Sequence, residues 1–166
     1  HMFRTLGTHG IVFECLTSVL SHESPRMPRD DNLNKLLYQS FSFLALYAAR
    51  QPLNQEIVFS HLHHMIIPQL INPREVFSAA AEALIAVFQD NRVLSSRFDD
   101  STCAAIFTCL KQSAQRQEWR WIYLRCLSIA LCPKGIPIKR NQHRVLRRVF
   151  SVLLKYYYNT IVIIVD

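Results

Sequence analysis

Histidines fall at positions 61, 63 and 64. On a helix His61 and His64 share one face, a spacing from which two ring nitrogens can reach a single ion. A metal site needs three or four converging ligands. No cysteine or carboxylate adjoins the cluster to complete the set, so half-exposed helix histidines are expected here, with no metal and no other cofactor. The five cysteines, Cys15, Cys103, Cys109, Cys126 and Cys132, are odd in number and show no CxxC spacing. All lie on or beside apolar stripes, where burial raises a thiol pKa and makes it inert. With no signal peptide they read as reduced core residues of a cytosolic protein. Phosphate-binding glycine loops, HExxH and EF-hand loops are absent from the sequence. No enzymatic activity is expected.

The remaining chemistry is charge. The net charge is +7, and no acidic residue lies between Glu118 and Asp166. On a helix Arg140, Arg144, Arg147 and Arg148 fall on one side, and Lys139 precedes them. These five form a candidate polyanion or partner face. A solvated or partner-facing helix surface is the commoner reading of such a run. Tyr156, Tyr157 and Tyr158 could stack bases, but packing explains them as well, and no nucleic acid partner is expected.

The elements that must position these residues read as helices. Ile11, Val12, Cys15, Leu16, Val19 and Leu20 mark a first apolar stripe at helical spacing. After a loop holding Pro25 and Pro28, Asp31 is positioned to cap a second helix through Leu33, Leu36, Leu37, Phe41, Leu44 and Tyr47. That helix should stop near Arg50, because Pro52 restricts its predecessor. Asn54 is expected to cap a third helix, through Ile57, Val58, Leu62 and Met65, that ends by Pro68. Asn72-Pro73-Arg74-Glu75 is a start signal for a fourth, through Phe77, Ala80, Ala81, Leu84, Ile85 and Phe88. A short turn or helix follows around Asn91 to Ser95. Asp99 or Asp100 opens a fifth main helix, and Glu118 to Leu131 make a sixth, with packing roles for Trp119 or Trp121, Leu124 and Leu127. Pro133 and Gly135 break it, and a last helix carries Val145, Leu146, Val149, Phe150 and Leu153. The run from Tyr156 to Val165 favours an extended tail.

About seven helical segments with mostly short connections predict an all-α fold of armadillo/HEAT-like stacked helix pairs. No strict sequence repeat is visible. No apolar run approaches the length of a membrane span. His1-Met2 reads as a residue of cloning, 3–155 as a single helical domain, and 156–166 as an extended tail or the start of a next segment. The abrupt ends suggest a piece of a larger protein.

Several of these features in order resemble the RIH domain, the homology domain shared by ryanodine receptors and inositol-trisphosphate receptors. Asn54-Gln55 opens a helix that continues through His61-Leu62-His63 to Pro68. The fourth helix is followed by Asp90-Asn91-Arg92-Val93-Leu94. The sixth is followed by Gly135-Ile136-Pro137-Ile138 and then Asn141-Gln142. The resemblance runs from about Ile11 to Leu153. In the ligand-binding copy of the family a Tyr-Arg-Lys triplet precedes the Asn-Gln pair, whereas Gln51, Pro52 and Leu53 stand here. The helix around Ile11 to Leu20 also lacks Lys and Arg. Phosphate recognition without those cations would be weak. The second, central copy is closer, with its His-Leu-His run, its proline and an apolar segment ending in aspartate, like Ile161 to Asp166.

The resemblance implies a non-catalytic coupling segment of a tetrameric intracellular calcium release channel, on the cytosolic face of the endoplasmic reticulum or another calcium-store membrane. Its partners would be neighbouring domains of the same channel. The isolated piece would be monomeric, and direct inositol trisphosphate binding is not expected. Polar residues at the joints, Asn54, Asn141 and Gln142, should cap helices or bond backbone between repeats. Two alternatives stay open: an armadillo-like adaptor for a protein partner, and a polyanion module using the Arg140 to Arg148 face.

Overall fold

The computed structural model describes residues 7–22, 30–71, 76–112 and 117–151. The Asn72-Pro73 start signal, the Trp119 side chain, Leu153 and the tail from Tyr156 lie outside the described residues. Among those residues every regular element is helical. In chain order they are α1 (Thr8–His22), α2 (Asp31–Ala48), α3 (Pro52–Ser60), a π turn (Leu62–Ile66) and α4 (Ile67–Ile71). Then come α5 (Phe77–Phe88), α6 (Arg92–Ser96), α7 (Asp100–Gln112), α8 (Gln117–Leu131), a 3-10 turn (Pro133–Gly135) and α9 over 139–151.

The helices form two layers. One layer sets α2, α5 and α8 side by side, with α5 in the middle. The other runs from α1 past the π turn and α4 to α7. The composition of α5 explains its place. Ten of its twelve residues are buried, and a helix that is apolar all round must be covered on every side. Its five alanines let neighbouring helices approach closely. Phe41, Leu44, Leu70, Phe77, Leu84 and Phe88 are among the side chains of the single core that results. This two-layer stack is the all-α arrangement expected from the sequence.

Several local expectations need correction. Asp30, not Asp31, caps α2, accepting from the Asn32 N–H at 3.1 Å. The third helix does not stop at Pro68. The Ile67 N–H reaches back five residues to the Leu62 carbonyl, and α4 then carries the chain through Pro68 to Ile71. The wider π turn changes the hydrogen-bond register just before a residue with no N–H to give. Ile11 is exposed, and Phe13, not among the residues of the first stripe, faces the core beside Leu16. In the sixth predicted helix Leu127 is buried, but Trp121 is 66% exposed and Leu124 46%. The inward side of α8 is carried by Tyr123, Cys126, Leu127 and Ala130, so the apolar pattern of that helix covers more than its core-facing side. On α9, Leu146 and Phe150 are likewise exposed.

Candidate functional site

The turns after α2 and α5 sit about 40 residues apart, within the range of armadillo and HEAT repeats. Their backbones match closely. Arg50 and Asp90 take the left-handed conformation, at φ 54° and 58°. Gln51 follows at φ −118°, ψ 97° and Asn91 at φ −116°, ψ 91°, each one residue before the next helix. The Gln51 N–H donates to the Ala48 carbonyl at 3.1 Å, and the Asn91 N–H to the Phe88 carbonyl at 3.2 Å. The structure thus reveals a repeat that residue identities do not, since only backbone geometry is preserved.

Amide side chains bolt these turns together. Asn54 Nδ2 donates to the Tyr47 carbonyl at 2.8 Å, at the end of α2. Asn54 therefore lies inside α3 and satisfies the preceding helix, while Pro52 occupies the first turn, where its missing N–H costs nothing. The neighbouring Gln55 is buried. Its Nε2 donates to the carbonyls of Ala86 and Gln89 and its Oε1 accepts from Asn91 Nδ2, each at 2.8 Å. Asn91 in turn caps α6, accepting from the Leu94 N–H at 3.0 Å. At the next joint Asn141, fully buried, donates to the Ser95 and Ala130 carbonyls at 2.7 Å. Helix ends leave carbonyls without partners, and a buried one is costly to leave unmade. Asn54, Gln55 and Asn141 thus supply the missing donors, whereas Gln142, expected to share that role, contributes its backbone N–H to the Ile138 carbonyl.

The predicted cationic face is redistributed. Arg144 is turned inward, its side chain 11% exposed, donating to the Phe98 carbonyl and lying 3.4 Å from Asp100. Arg147 reaches the same carboxylate at 3.5 Å. The pair ties α9 to the start of α7 because Asp100 is the acidic residue of that first turn. Lys139, Arg140 and Arg148 are exposed. Sequence spacing could not show that Asp100 packs against Arg144 and Arg147 and draws Arg144 inward.

The histidines are also brought together. His61 Nδ1 and His64 Nε2 are 3.0 Å apart, and the His61 ring stacks on Phe13 at 4.0 Å between centroids. Burial, and then the neighbouring His64, lower the His61 pKa below its ordinary 6.5. His63 Nε2 lies 3.3 Å from Asp99. Burial alone would raise the Asp99 pKa, but the Thr102 N–H, the Thr102 and Ser101 hydroxyls and His63 together hold it below the usual carboxylate value. No group of three or more metal-ligating side chains occurs among the described residues. Of the cysteines, Cys103, Cys109 and Cys126 are buried, and Cys126 is pushed up to about 12 by desolvation. Cys132, expected in the core, is exposed because it lies in the break after α8.

Buried amides at the joints, inward arginine and raised thiols give a site built for holding helices. A family model described as the RIH domain of ryanodine and inositol-trisphosphate receptors matches residues 1–155. The chain belongs to the RIH domain family. No solved structure matches it. RIH domains are parts of receptor channels rather than enzymes. Among the described residues no helix of this RIH domain is long and apolar enough to cross a membrane.

Proposed function

We propose that this RIH domain is a coupling segment of an inositol-trisphosphate-receptor-like calcium release channel, corresponding to the central copy. It would pass ligand-induced motion toward the pore on the cytosolic side of a calcium-store membrane, within a tetrameric parent. It would perform no chemistry of its own. The observation that carries the reading is the pair of joints bolted by Gln55 and Asn141. Buried amide-to-carbonyl bonds between successive turns resist continuous deformation, so displacement of one repeat moves the next. Absence of the Tyr-Arg-Lys triplet before Asn54 supports a copy that does not hold the ligand.

Two measurements test this. Calorimetric titration of the purified chain with inositol 1,4,5-trisphosphate should give no heat of binding at low or physiological salt. Binding abolished by Arg140→Ala would make it a ligand-sensing module instead. In a channel carrying this segment, Asn141→Ala should weaken calcium release at a given ligand concentration, while ligand affinity of the separate ligand-binding region stays unchanged. An unaltered release curve would remove the coupling role.

A further inference from the structure

The edge of the stack formed by the turns carries a pattern that neither the joints nor the proposed coupling role uses. Leu53 and Val93 occupy the same position of successive repeats, second in the helix after each turn, and are 63% and 71% exposed. Ile136, after the 3-10 turn, is 47% exposed. Single exposed aliphatics are ordinary. Here they recur at successive turns that touch: Gln55 joins the first to the second, and α6 packs on the Pro133–Gly135 turn.

The charge on this edge is one-sided. Asp90 lies 4.0 Å from Arg50, and Glu56 pairs with Arg97, so both carboxylates are engaged. Arg92, Lys134, Lys139 and Arg140 are exposed and make no ion pair among the described residues. A bare polyanion would use the cations and leave the aliphatics in water. A partner presenting carboxylates beside apolar side chains would use both.

Spacing selects the form of that partner. Packed helices lie about 8–10 Å apart, and α3 packs on α6 and α6 on the Pro133–Gly135 turn, so a partner crossing the turns meets a new one at about that interval. An α-helix rises 1.5 Å per residue and brings residues seven apart to the same side at roughly 10 Å. The geometry points to a docking edge for an acidic amphipathic α-helix, laid across the three turns with an apolar side chain every seventh residue over Leu53, Val93 and Ile136. Its Asp or Glu residues flank that stripe and meet Arg92, Lys134, Lys139 and Arg140. This mode is helix-on-surface recognition read through periodic anchors. It does not depend on the channel reading.

The test uses the whole 166-residue chain and fluorescein-labelled helical peptides of about three heptads. One peptide has Leu at every seventh position among Glu and Ala; a second has the same composition with the Leu positions permuted. Polyglutamate of equal length and vesicles containing anionic lipid are the remaining probes. Anisotropy should show the heptad peptide binding at least about tenfold tighter than the permuted one. Leu53→Ser with Val93→Ser, and separately Arg92→Glu with Lys139→Glu, should each weaken it by about tenfold or more. Thermal melts of both variants should match the parent, since these side chains are exposed. Equal binding of the permuted peptide or polyglutamate, binding by vesicles alone, or no binding by the heptad peptide would each overturn the proposal.

Discussion

The turn after α2 and the turn after α5 share one backbone and differ in how their side chains use it. In the first, Pro52 begins the next helix and Gln51 makes no side-chain cap. In the second, Arg92 stands where the proline was, and Asn91 accepts from the Leu94 N–H. A proline at the first helical position has no N–H left over and fixes the required φ. Where it is absent, an Asn at the preceding position supplies the cap. One geometry is thus reached by two chemistries, and only the second leaves an amide group free to be held by the neighbouring repeat, which Gln55 does.

The largest expected effect comes from cutting that link. Gln55→Leu removes bonds to two carbonyls and to Asn91 within the interior, and should destabilise the domain by about 3 kcal/mol in chemical denaturation. A loss below about 1 kcal/mol would show that the joint is held by apolar packing alone. The two turns should then separate on truncation. Asn91→Ala loses both a cap and the bond to Gln55 and should cost about 1.5 kcal/mol. Gln51→Ala should cost less than about 0.5 kcal/mol, because its side chain makes no cap. Asn54→Ala, which removes a single bond to the Tyr47 carbonyl, should fall between them at about 1 kcal/mol. Equal losses at Asn91 and Gln51 would erase the proposed difference between the turns.

Each repeat also carries a proton-linked group, His61 in the first and Asp99 in the second. The folded pKa of His61 is lowered from 6.5, so the unfolded chain binds the proton more readily. Its contribution is complete above about pH 6.5 and is lost as pH falls toward the folded value. Asp99 is lowered from 3.8, so its contribution is intact above that value and lost only in more acidic solution. Melting temperature should therefore fall from about pH 7.5 to about pH 5 through His61, and His61→Gln should flatten that part of the profile. A slope unchanged by the substitution would assign it to other groups.

The smallest effect concerns the left-handed residues. Arg50 and Asp90 both sit at positive φ, where glycine is at ease, Asp is tolerated and longer side chains are strained. Arg50→Gly should stabilise by up to about 0.5 kcal/mol, and Asp90→Gly by less. The exposed pair that both lose, at 4.0 Å, contributes little. Thermal denaturation of the two variants side by side reads the order directly, and a reversed order would mean that the ion pair or the unfolded chain dominates.

Sequence periodicity was sufficient for the helices, the all-α class and the order of elements that resembles the RIH family. It was sufficient because apolar spacing and breakers such as Pro52, Pro133 and Gly135 act locally. It also located the joint residues Asn54 and Asn141 as structural, while misassigning the helix that Asn54 serves. A side chain that bonds backbone seven residues earlier cannot be told by spacing from one that caps its own helix. Asn91 beside Gln55, Asp100 beside Arg144 and Phe13 on His61 join residues distant in sequence. The repeat was hidden for the same reason: Arg50-Gln51 and Asp90-Asn91 share φ and ψ but no residue type. Local propensity determined which segments become helices, since that choice depends on neighbours along the chain. Tertiary structure alone decided which polar groups meet, because the buried carbonyls they satisfy exist only once the layers have packed.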